Sequence, residues 1–448
     1  MRAGLLALIA VAGLAGCAAA PPPGREISSV RFGAATLPRG AARSNRMLAE
    51  DFLDLTFALE SGERLNRLLR YERPVRVYLA SAGLEPYRPD LEQLLARLRA
   101  EAGVDIAETR NRAEAQIVVE AVPAAQITRV FPTAACFIVP GETDWQGFMR
   151  RRPEERLRWP EQATLERAAI FLPLDTTPQD VRDCLNEEIT QALGPADDLY
   201  RLPDSIWNDD NFHGMATPFD MVMLKTLYQP ELRSGMTREA VAAGLPALLA
   251  RTNPKGRALA PTPRAPESLA WNAAIEAALA RDAPRRARLA AAIRAGEIAG
   301  AMRPVDHRLG VALLTSGRLR LRRDPLAAAE DFVRAYALFV EQFGVEDVRS
   351  AQAGVHLAAL AVGSGQYTLA IELADRHLPA ALAGQNAVLV AGLLSVKAEA
   401  LAAEGRAGEA QATRLDSLRW ARYGFGDADG TLAREQAQIA ALIGLENP

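Results

Sequence analysis

Histidine is scarce in this sequence. Only four histidines occur among 448 residues, and three of them lie beyond residue 300. A catalytic zinc ion normally takes three protein ligands, often with at least two imidazoles, so the N-terminal half cannot build a histidine-rich zinc centre. A large excess of charge is also missing. The formal net charge is −3 and the basic residues are scattered, which argues against a nucleic-acid partner or a polybasic membrane patch.

Long apolar runs are missing too. The run from Ala3 to Ala15 follows Arg2 and is shorter than the roughly 20 residues that a transmembrane helix needs. It leads into Gly16 and Cys17, and the whole segment is typical of a signal peptide. The small residues before Cys17 resemble the bacterial lipobox, which implies cleavage after Gly16 and lipidation of Cys17. An ordinary secretory signal with an incidental cysteine is the alternative.

Lipidation would hold the protein at the cell envelope through acyl chains, on the periplasmic face, without a transmembrane helix. Ala18 follows the cysteine, and by resemblance to known sorting rules this residue favours the outer membrane. The three successive prolines that follow predict an extended tether. We therefore predict a signal peptide over residues 1–16 and a tether over residues 17–24.

Only two other cysteines are present, Cys136 and Cys184. An oxidising periplasm would allow them to pair, and closing a loop of nearly fifty residues would restrict the unfolded chain by roughly 4 kcal/mol. We predict this disulfide. Two buried and inert thiols are the alternative, because sequence gives no distance between the two residues.

Composition changes along the chain and predicts two folded domains. Residues 25–240 mix β-branched runs with helical patterns and indicate an α+β domain. Residues 241–266 are predicted to form a helix and a proline-rich linker. Residues 267–448 are rich in alanine, leucine and arginine and are predicted to form an all-α helical-repeat domain. The predicted elements of the first domain are a helix over 44–63, strands over 75–80 and 115–122, a helix over 89–102, and short strands over 136–139 and 168–172.

A helix with strong boundary signals follows these strands. Thr177 is a candidate N-cap, Pro178 suits the first turn, Asp180 has capping-box spacing, and Gly194-Pro195 ends the helix. At 100° per residue, Val181, Leu185 and Ala192 form one apolar stripe. Glu188 falls inside that stripe. A buried carboxylate needs a partner or a proton, so Glu188 is the best single candidate for a catalytic residue. A structural glutamate paired with an arginine is the alternative.

The spacing of this segment resembles the metzincin protease signature, His-Glu-x-x-His-x-x-Gly-x-x-His. On that pattern Glu187 and Gln191 replace the two helical histidines and Asp197 replaces the third. Glu188 keeps the position of the general base, and Gly194 keeps the turn. Trp207 stands where the methionine of the Met-turn would be, and residues 217–228 resemble the closing helix of the family. The resemblance implies a zincin-like fold with a degenerate metal site.

The same region is similar to a secreted proteobacterial family known as domain of unknown function 2927. The residues that carry this similarity are Cys184, Glu187-Glu188, Gln191, Leu193-Gly194, Asp197-Asp198, Tyr228-Gln229-Pro230 and Gly235-Met236. The family supplies no activity.

Oxygen atoms alone would face a metal at this site. Glu187, Gln191 and Asp197 suit calcium or magnesium better than zinc, and His213 is the only histidine near enough in sequence to approach. We expect no zinc and no required cofactor. A calcium or magnesium ion is the weaker possibility.

The C-terminal region shows an internal repeat. The segments 323–328, 365–370 and 405–410 superimpose at steps of 42 and 40 residues, and Phe343-Gly344 and Phe425-Gly426 stand 82 residues apart. This pattern resembles a long tetratricopeptide repeat, with a generic antiparallel helical array as the alternative. Either one predicts a surface for a protein or peptide partner.

Two functions follow from this reading. The favoured one is a lipid-anchored envelope protein with a non-catalytic zincin-like domain and a helical interaction domain. The alternative is a hydrolase of peptides or cell wall in which Glu188 is the general base, acting with a non-zinc ion or with a second carboxylate such as Glu187 or Asp209.

Overall fold

A computed structural model describes residues 30–32, 43–59, 62–132, 134–151, 159–208, 210, 212–280 and 283–426. The predicted signal peptide, Cys17, the tether and Asp209 lie outside these residues. The first part of the chain forms an α/β region around a five-stranded sheet. The part from residue 269 onward is entirely helical over the residues that are described. No helix in the described ranges has the length and apolarity needed to cross a bilayer.

The sheet is mostly parallel and has the order β2-β1-β3-β5-β4. Its strands are β1 (Val75–Leu79), β2 (Ile106–Glu108), β3 (Ile117–Ala121), β4 (Phe137–Pro140) and β5 (Ala168–Leu172). Only β4 runs antiparallel, and it forms one edge beside β5. Four strands match the predicted apolar runs. The sequence did not reveal β2, because three residues carry too little alternation for a pattern to be seen.

Both faces of the sheet are covered at β5, where all five residues are buried. Ala169 and Phe171 pack into a small aromatic cluster with Phe148, while Ile170 and Leu172 belong to the main core on the other face. This explains why β5 reads as a continuous apolar run, as expected for a strand buried on both sides.

Seven helices accompany the sheet in the described part. They are α1 (Asn45–Phe57), α2 (Arg88–Arg97), α3 (Ala124–Val130), α4 (Trp145–Arg150), α5 (Pro178–Gln191), α6 (Pro218–Leu227) and α7 (Arg238–Thr252). Helix α1 begins after Ser44 as predicted but ends earlier, since Ala58 pairs with Arg64 in an antiparallel bridge. Helix α7 packs against α1.

The helical region contains repeats. Its helices are α8 (Leu269–Leu279), α9 (Arg285–Ala301), α10 (His307–Arg320), α11 (Pro325–Phe343), α12 (Val348–Gly363), α13 (Tyr367–Ala383), α14 (Ala387–Ala403) and α15 (Ala407–Phe425). Helices α11, α13 and α15 open at the three predicted repeat positions. Gly344 and Gly426 end α11 and α15 with positive φ angles of 87° and 90°, which glycine adopts without steric cost.

The two regions share an extensive interface. Tyr200 and Phe212 leave the α/β region and join the hydrophobic core of the helical region, where Tyr200 packs on Trp271 and Phe212 packs on Phe339. His307, at the start of α10, places its Nε2 atom 2.7 Å from the carbonyl oxygen of Tyr200. The loop around residues 199–215 therefore joins the two cores.

Candidate functional site

Helix α5 is built as its sequence predicts. The Thr177 hydroxyl accepts a hydrogen bond from the Asp180 amide at 3.1 Å, and the Asp180 carboxylate accepts one from the Thr177 amide at 3.3 Å. At the other end Gly194 has φ of 141°. A Cβ atom there would lie 2.7 Å from the Leu69 carbonyl oxygen and 2.7 Å from a Leu227 methyl. Glycine is thus required where the chain turns away from the helix.

The predicted disulfide is present. Cys136 and Cys184 are bonded, with their Cα atoms 6.1 Å apart. Cys136 immediately precedes the edge strand β4, and Cys184 lies in the middle of α5. The bond therefore fixes the edge of the sheet to the helix that carries Glu187 and Glu188.

Glu188 lies on the buried face of α5, as the helical pattern predicted. It is 5% exposed, next to Val181, Leu185 and Ala192, which are 0–1% exposed. Neither the cavity between α2 and α5 nor the surface depression around Gly141 and Arg167 has Glu188 in its lining.

The positions that replace metal ligands differ in their surroundings. Gln191 is buried, and its side-chain amide donates a 2.7 Å hydrogen bond to the Asp198 carboxylate. The bonded residue is Asp198 and not Asp197, which the sequence pattern placed in the position of the third ligand. Asp197 is buried as well, with 7% of its surface exposed. Glu187 is half-buried. Among the described residues, no group of three or more histidine, cysteine, aspartate or glutamate side chains is arranged to hold a metal ion.

His213 lies close to Arg349 and Asp347 of the helical region. Its Nε2 atom lies 3.1 Å from the Pro203 carbonyl oxygen. Burial, together with the nearby Arg349 guanidinium, lowers the pKa of His213 to about 4 despite the carboxylates of Asp347 and Asp204. The imidazole is therefore neutral at pH 7 and belongs to the junction between the two regions.

Trp207 is fully buried beneath α5. Its indole nitrogen donates to the Thr190 hydroxyl at 3.1 Å. The same loop is tied to α6 by Asp220, whose carboxylate accepts from the Ser205 hydroxyl at 2.6 Å and from the amide of Thr217, the N-cap of α6, at 2.7 Å. Burial raises the pKa of Asp220 to about 6 even though these hydrogen bonds oppose the shift.

Residues 45–247 match a family described as "Protein of unknown function (DUF2927)". No curated protein and no solved structure matches the chain. The match runs from the first residue of α1 into α7 and so includes the whole sheet, the disulfide and α5. We call residues 45–247 the DUF2927 region.

One face of α5 in the DUF2927 region contacts the helical region, and sequence reasoning missed it. Gln179, Arg182, Asp183 and Asn186 recur at helical spacing on the side opposite Glu188. A polar stripe of this kind usually faces solvent. Here Gln179 and Arg182 are only 5% and 6% exposed. The stripe was visible in the sequence, but nothing local showed that another region covers it.

The contacts of this face are specific. The Arg182 guanidinium donates to the Tyr423 carbonyl oxygen at 2.8 Å and lies 3.9 Å from the centre of the Tyr423 ring. The Gln179 side chain accepts from the Ala387 amide at 3.0 Å and donates to the Gln385 carbonyl oxygen at 3.3 Å. Helix α5 is therefore held on one face by the sheet and on the other by the helical repeats.

Asp183, on this face of α5, is a titratable group whose pKa is shifted towards neutral pH. It accepts a 2.8 Å hydrogen bond from the Gln179 amide. Burial raises the pKa of Asp183 to about 7, although Gln179 and Arg182 lower it. Because the folded protein retains this proton where the unfolded chain has lost it, stability falls as the pH rises from about 4 to about 7.

We expect Asp183→Asn to remove this pH dependence. The variant should be more stable than the wild type at pH 8 by at least about 1 kcal/mol, and the difference should shrink towards pH 4. Urea unfolding at several pH values measures it. Glu297→Gln changes an exposed carboxylate that pairs with Arg294 and serves as the control. A parallel pH profile for wild type and Asp183→Asn would contradict the expectation.

Proposed function

We propose that the chain is a lipid-anchored envelope protein that docks partner proteins. In this proposal the DUF2927 region is a zincin-like domain without catalytic zinc, and the helical region is a tetratricopeptide-like array. Lipidation of Cys17 would place the protein on the periplasmic face, with the outer membrane favoured. The family description gives no activity, so the proposal depends on the surroundings of the candidate residues.

Several local features support a zincin-like framework. Helix α5 follows the last strand of the sheet, Gly194 turns the chain after it, and Trp207 lies under the helix against Thr190. Helix α6 follows in the position of the closing helix and begins with a second capping box, between Thr217 and Asp220. These elements occur in the order that the resemblance to metzincins implies.

The hydrogen bond from Gln191 to Asp198 is the main observation in favour of a non-catalytic role for the DUF2927 region. Gln191 occupies the position of a metal-binding histidine, and its amide is engaged within the domain. Glu188, in the position of the general base, is 5% exposed. A general base must reach the proton that it abstracts, directly or through one water. Neither cavity described above includes Glu188, which favours a structural role for it.

The helical repeats supply surface for a partner protein. Stacked repeats bury a shared core between neighbours and expose one side of each outer helix. Val333 in α11 and Leu415 in α15 are equivalent positions two repeats apart, and they are 54% and 52% exposed. The equivalent position of α13, between them, is Asp375, with a half-exposed side chain, so this side of the outer helices offers both apolar and charged groups to a partner protein.

Metal analysis and a cleavage screen test the proposal. The chain from residue 25 onward should hold no stoichiometric transition metal and should cleave no member of a peptide library. Glu188→Gln should change only stability or binding, as should Glu187→Gln, the matched change on the adjacent residue.

A tightly held transition metal, or cleavage of any library peptide, would overturn the proposal. Turnover that Glu188→Gln abolishes in a folded protein would favour the hydrolase, with Glu188 as general base.

A further inference from the structure

A small cavity lies where α2 and α5 meet the turn between α13 and α14. Arg97 lines it from α2, Arg182 and Asn186 line it from α5, and Gln385 lines it from the helical region. The cavity has a volume of about 20 Å³ and is partly open to solvent, so it admits one or two groups the size of a water molecule. It lies on the face of α5 opposite Glu188 and is separate from the degenerate metal site.

Arg182 carries a buried charge without a carboxylate in direct contact. Its side chain donates to two neutral acceptors, the Tyr423 carbonyl oxygen and the Gln179 side-chain oxygen, and the residue is 6% exposed. No ion pair joins Arg182 to a carboxylate in the part of the chain that the structure describes. Asp90 and Asp183 interact with it only over a longer distance. Because a buried charge is costly unless it is paired, this guanidinium group is suited to an anionic ligand.

Two guanidinium N–H groups of the cavity lining are buried and unused. They are the Nε group of Arg182 and an Nη group of Arg97, and neither has a hydrogen-bond partner among the described residues. The Nε atom of Arg97 donates to the Glu101 carboxylate at 2.8 Å, which fixes the position of that side chain. Buried polar groups in folded proteins nearly always have a partner. Two such donors, on different helices but in one cavity, point to a ligand that accepts hydrogen bonds.

The backbone of Gln385 is strained where it reaches the cavity. Gln385 has a φ angle of 51°, and no other non-glycine residue that the structure describes has a positive φ. Residues other than glycine rarely adopt this conformation, and such strain is often found at ligand sites. The turn that carries Gln385 is held in place, since its carbonyl oxygen accepts from the Gln179 side chain at 3.3 Å.

We propose that this cavity binds a carboxylate group, held between Arg182 and Arg97. A carboxylate offers two oxygen atoms, which matches the two unused donors and the small volume, and its geometry suits guanidinium groups. Asp90 also lines the cavity, and its charge would repel a dianion such as phosphate more than a monoanion. The carboxylate would belong to a small organic acid or to the carboxyl terminus of a peptide. This site goes beyond the proposed function and does not depend on it.

Isothermal titration calorimetry at constant ionic strength tests the site. The chain from residue 25 onward, which contains every described residue, is titrated with sodium acetate, sodium chloride or sodium phosphate. Acetate should bind at least tenfold more tightly than the two inorganic anions. N-acetyl-Ala-Ala with a free carboxylate, compared with its carboxyl-terminal amide, separates the two sources. A free peptide acid that binds more tightly than acetate would identify a peptide terminus, and one that binds more weakly would identify a small acid. The amide should not bind.

Substitution of the two arginines tests their role. Arg97→Gln and Arg182→Gln should each weaken acetate binding at least about tenfold, because each removes a hydrogen bond to a charged group. Arg76→Gln is the matched control. It makes the same change in net charge, and Arg76 pairs with Asp105 away from the cavity. The control should bind acetate as the wild type does. Circular dichroism establishes that each variant is folded.

Asn186→Asp supplies a test that keeps both arginines. Asn186 lines the cavity one turn after Arg182 on α5, so aspartate there would place a carboxylate of the chain itself beside the guanidinium group. We expect this variant to lose acetate binding. The result remains informative if Arg182→Gln fails to fold.

Absence of acetate binding would overturn the proposal, as would equal affinity for acetate, chloride and phosphate. Unchanged acetate binding in folded Arg97→Gln and Asn186→Asp would also overturn it, since the ligand would then lie elsewhere. None of these outcomes bears on the metal and cleavage measurements, which concern the opposite face of α5.

Discussion

Asp51→Asn is expected to lower the free energy of unfolding by about 3 kcal/mol or more. Asp51 is fully buried in α1 and forms ion pairs with three arginines. Arg43 donates to it at 3.1 Å from the segment before α1, while Arg201 and Arg264 approach from the loop after α5 and from the linker. Asparagine keeps the shape of the side chain but removes the charge that these guanidinium groups share.

Arg201 should be affected most by this substitution. Burial disfavours its charged form, but Asp51 and Asp54 together raise the pKa of Arg201 above its usual value. Its side chain is only 6% exposed, and Asp54 would be its closest remaining carboxylate, at 2.7 Å. A buried ion pair that loses one partner is strongly destabilised, since the other charge stays desolvated.

Urea unfolding of Asp51→Asn and Glu50→Gln provides the comparison. Glu50 is adjacent on α1 and pairs with Arg264, but its side chain is 51% exposed. An exposed pair contributes about 1 kcal/mol or less. Equal effects from the two substitutions would show that the arginines around Asp51 do not depend on its charge.

Removing the disulfide is expected to destabilise the protein by about 4 kcal/mol in the loop-entropy model. Cys136 and Cys184 are separated by 48 residues, and their bond restricts a long loop in the unfolded chain. The double variant Cys136→Ala/Cys184→Ala is suitable, because Cys184 is 4% exposed and alanine leaves no new buried polar group there.

A reducing agent supplies the control for the disulfide. Reduction should lower the unfolding midpoint of the wild type towards that of the double variant and should leave the double variant unchanged. A wild-type midpoint that is insensitive to complete reduction would contradict the expectation. Hydrogen exchange should also increase in β4, since this edge strand loses its covalent link to α5.

Local signals predicted most of the elements in the DUF2927 region. The capping boxes at Thr177 and Thr217 are each formed by two residues three positions apart, so the local sequence is sufficient to predict them. Strands β1, β3, β4 and β5 were visible as apolar runs. Strand β2 was not, because three residues gain their strand conformation only by pairing with β1.

The candidate site was predicted less completely. Helical geometry placed Glu188 on the buried face of α5, and the disulfide was predicted correctly. The hydrogen bond partner of Gln191 was not predictable, since Asp197 and Asp198 are adjacent and only the path of the loop after Gly194 brings Asp198 to the amide. The burial of Gln179 and Arg182 could not be predicted from the local sequence. The residues that cover them are Gln385, Ala387 and Tyr423, which come about two hundred residues later in the chain.

The sequence by itself determined the features that depend on neighbours along the chain: helix caps, the apolar face of α5, and the repeat steps of 42 and 40 residues. Tertiary structure alone decided which surfaces meet. Tyr200 and Phe212 belong to the DUF2927 region by sequence, and only folding places them in the core of the helical region. Periodicity predicted the burial of the apolar face of α5, whereas the burial of its polar face depends on contacts with segments that are distant in sequence.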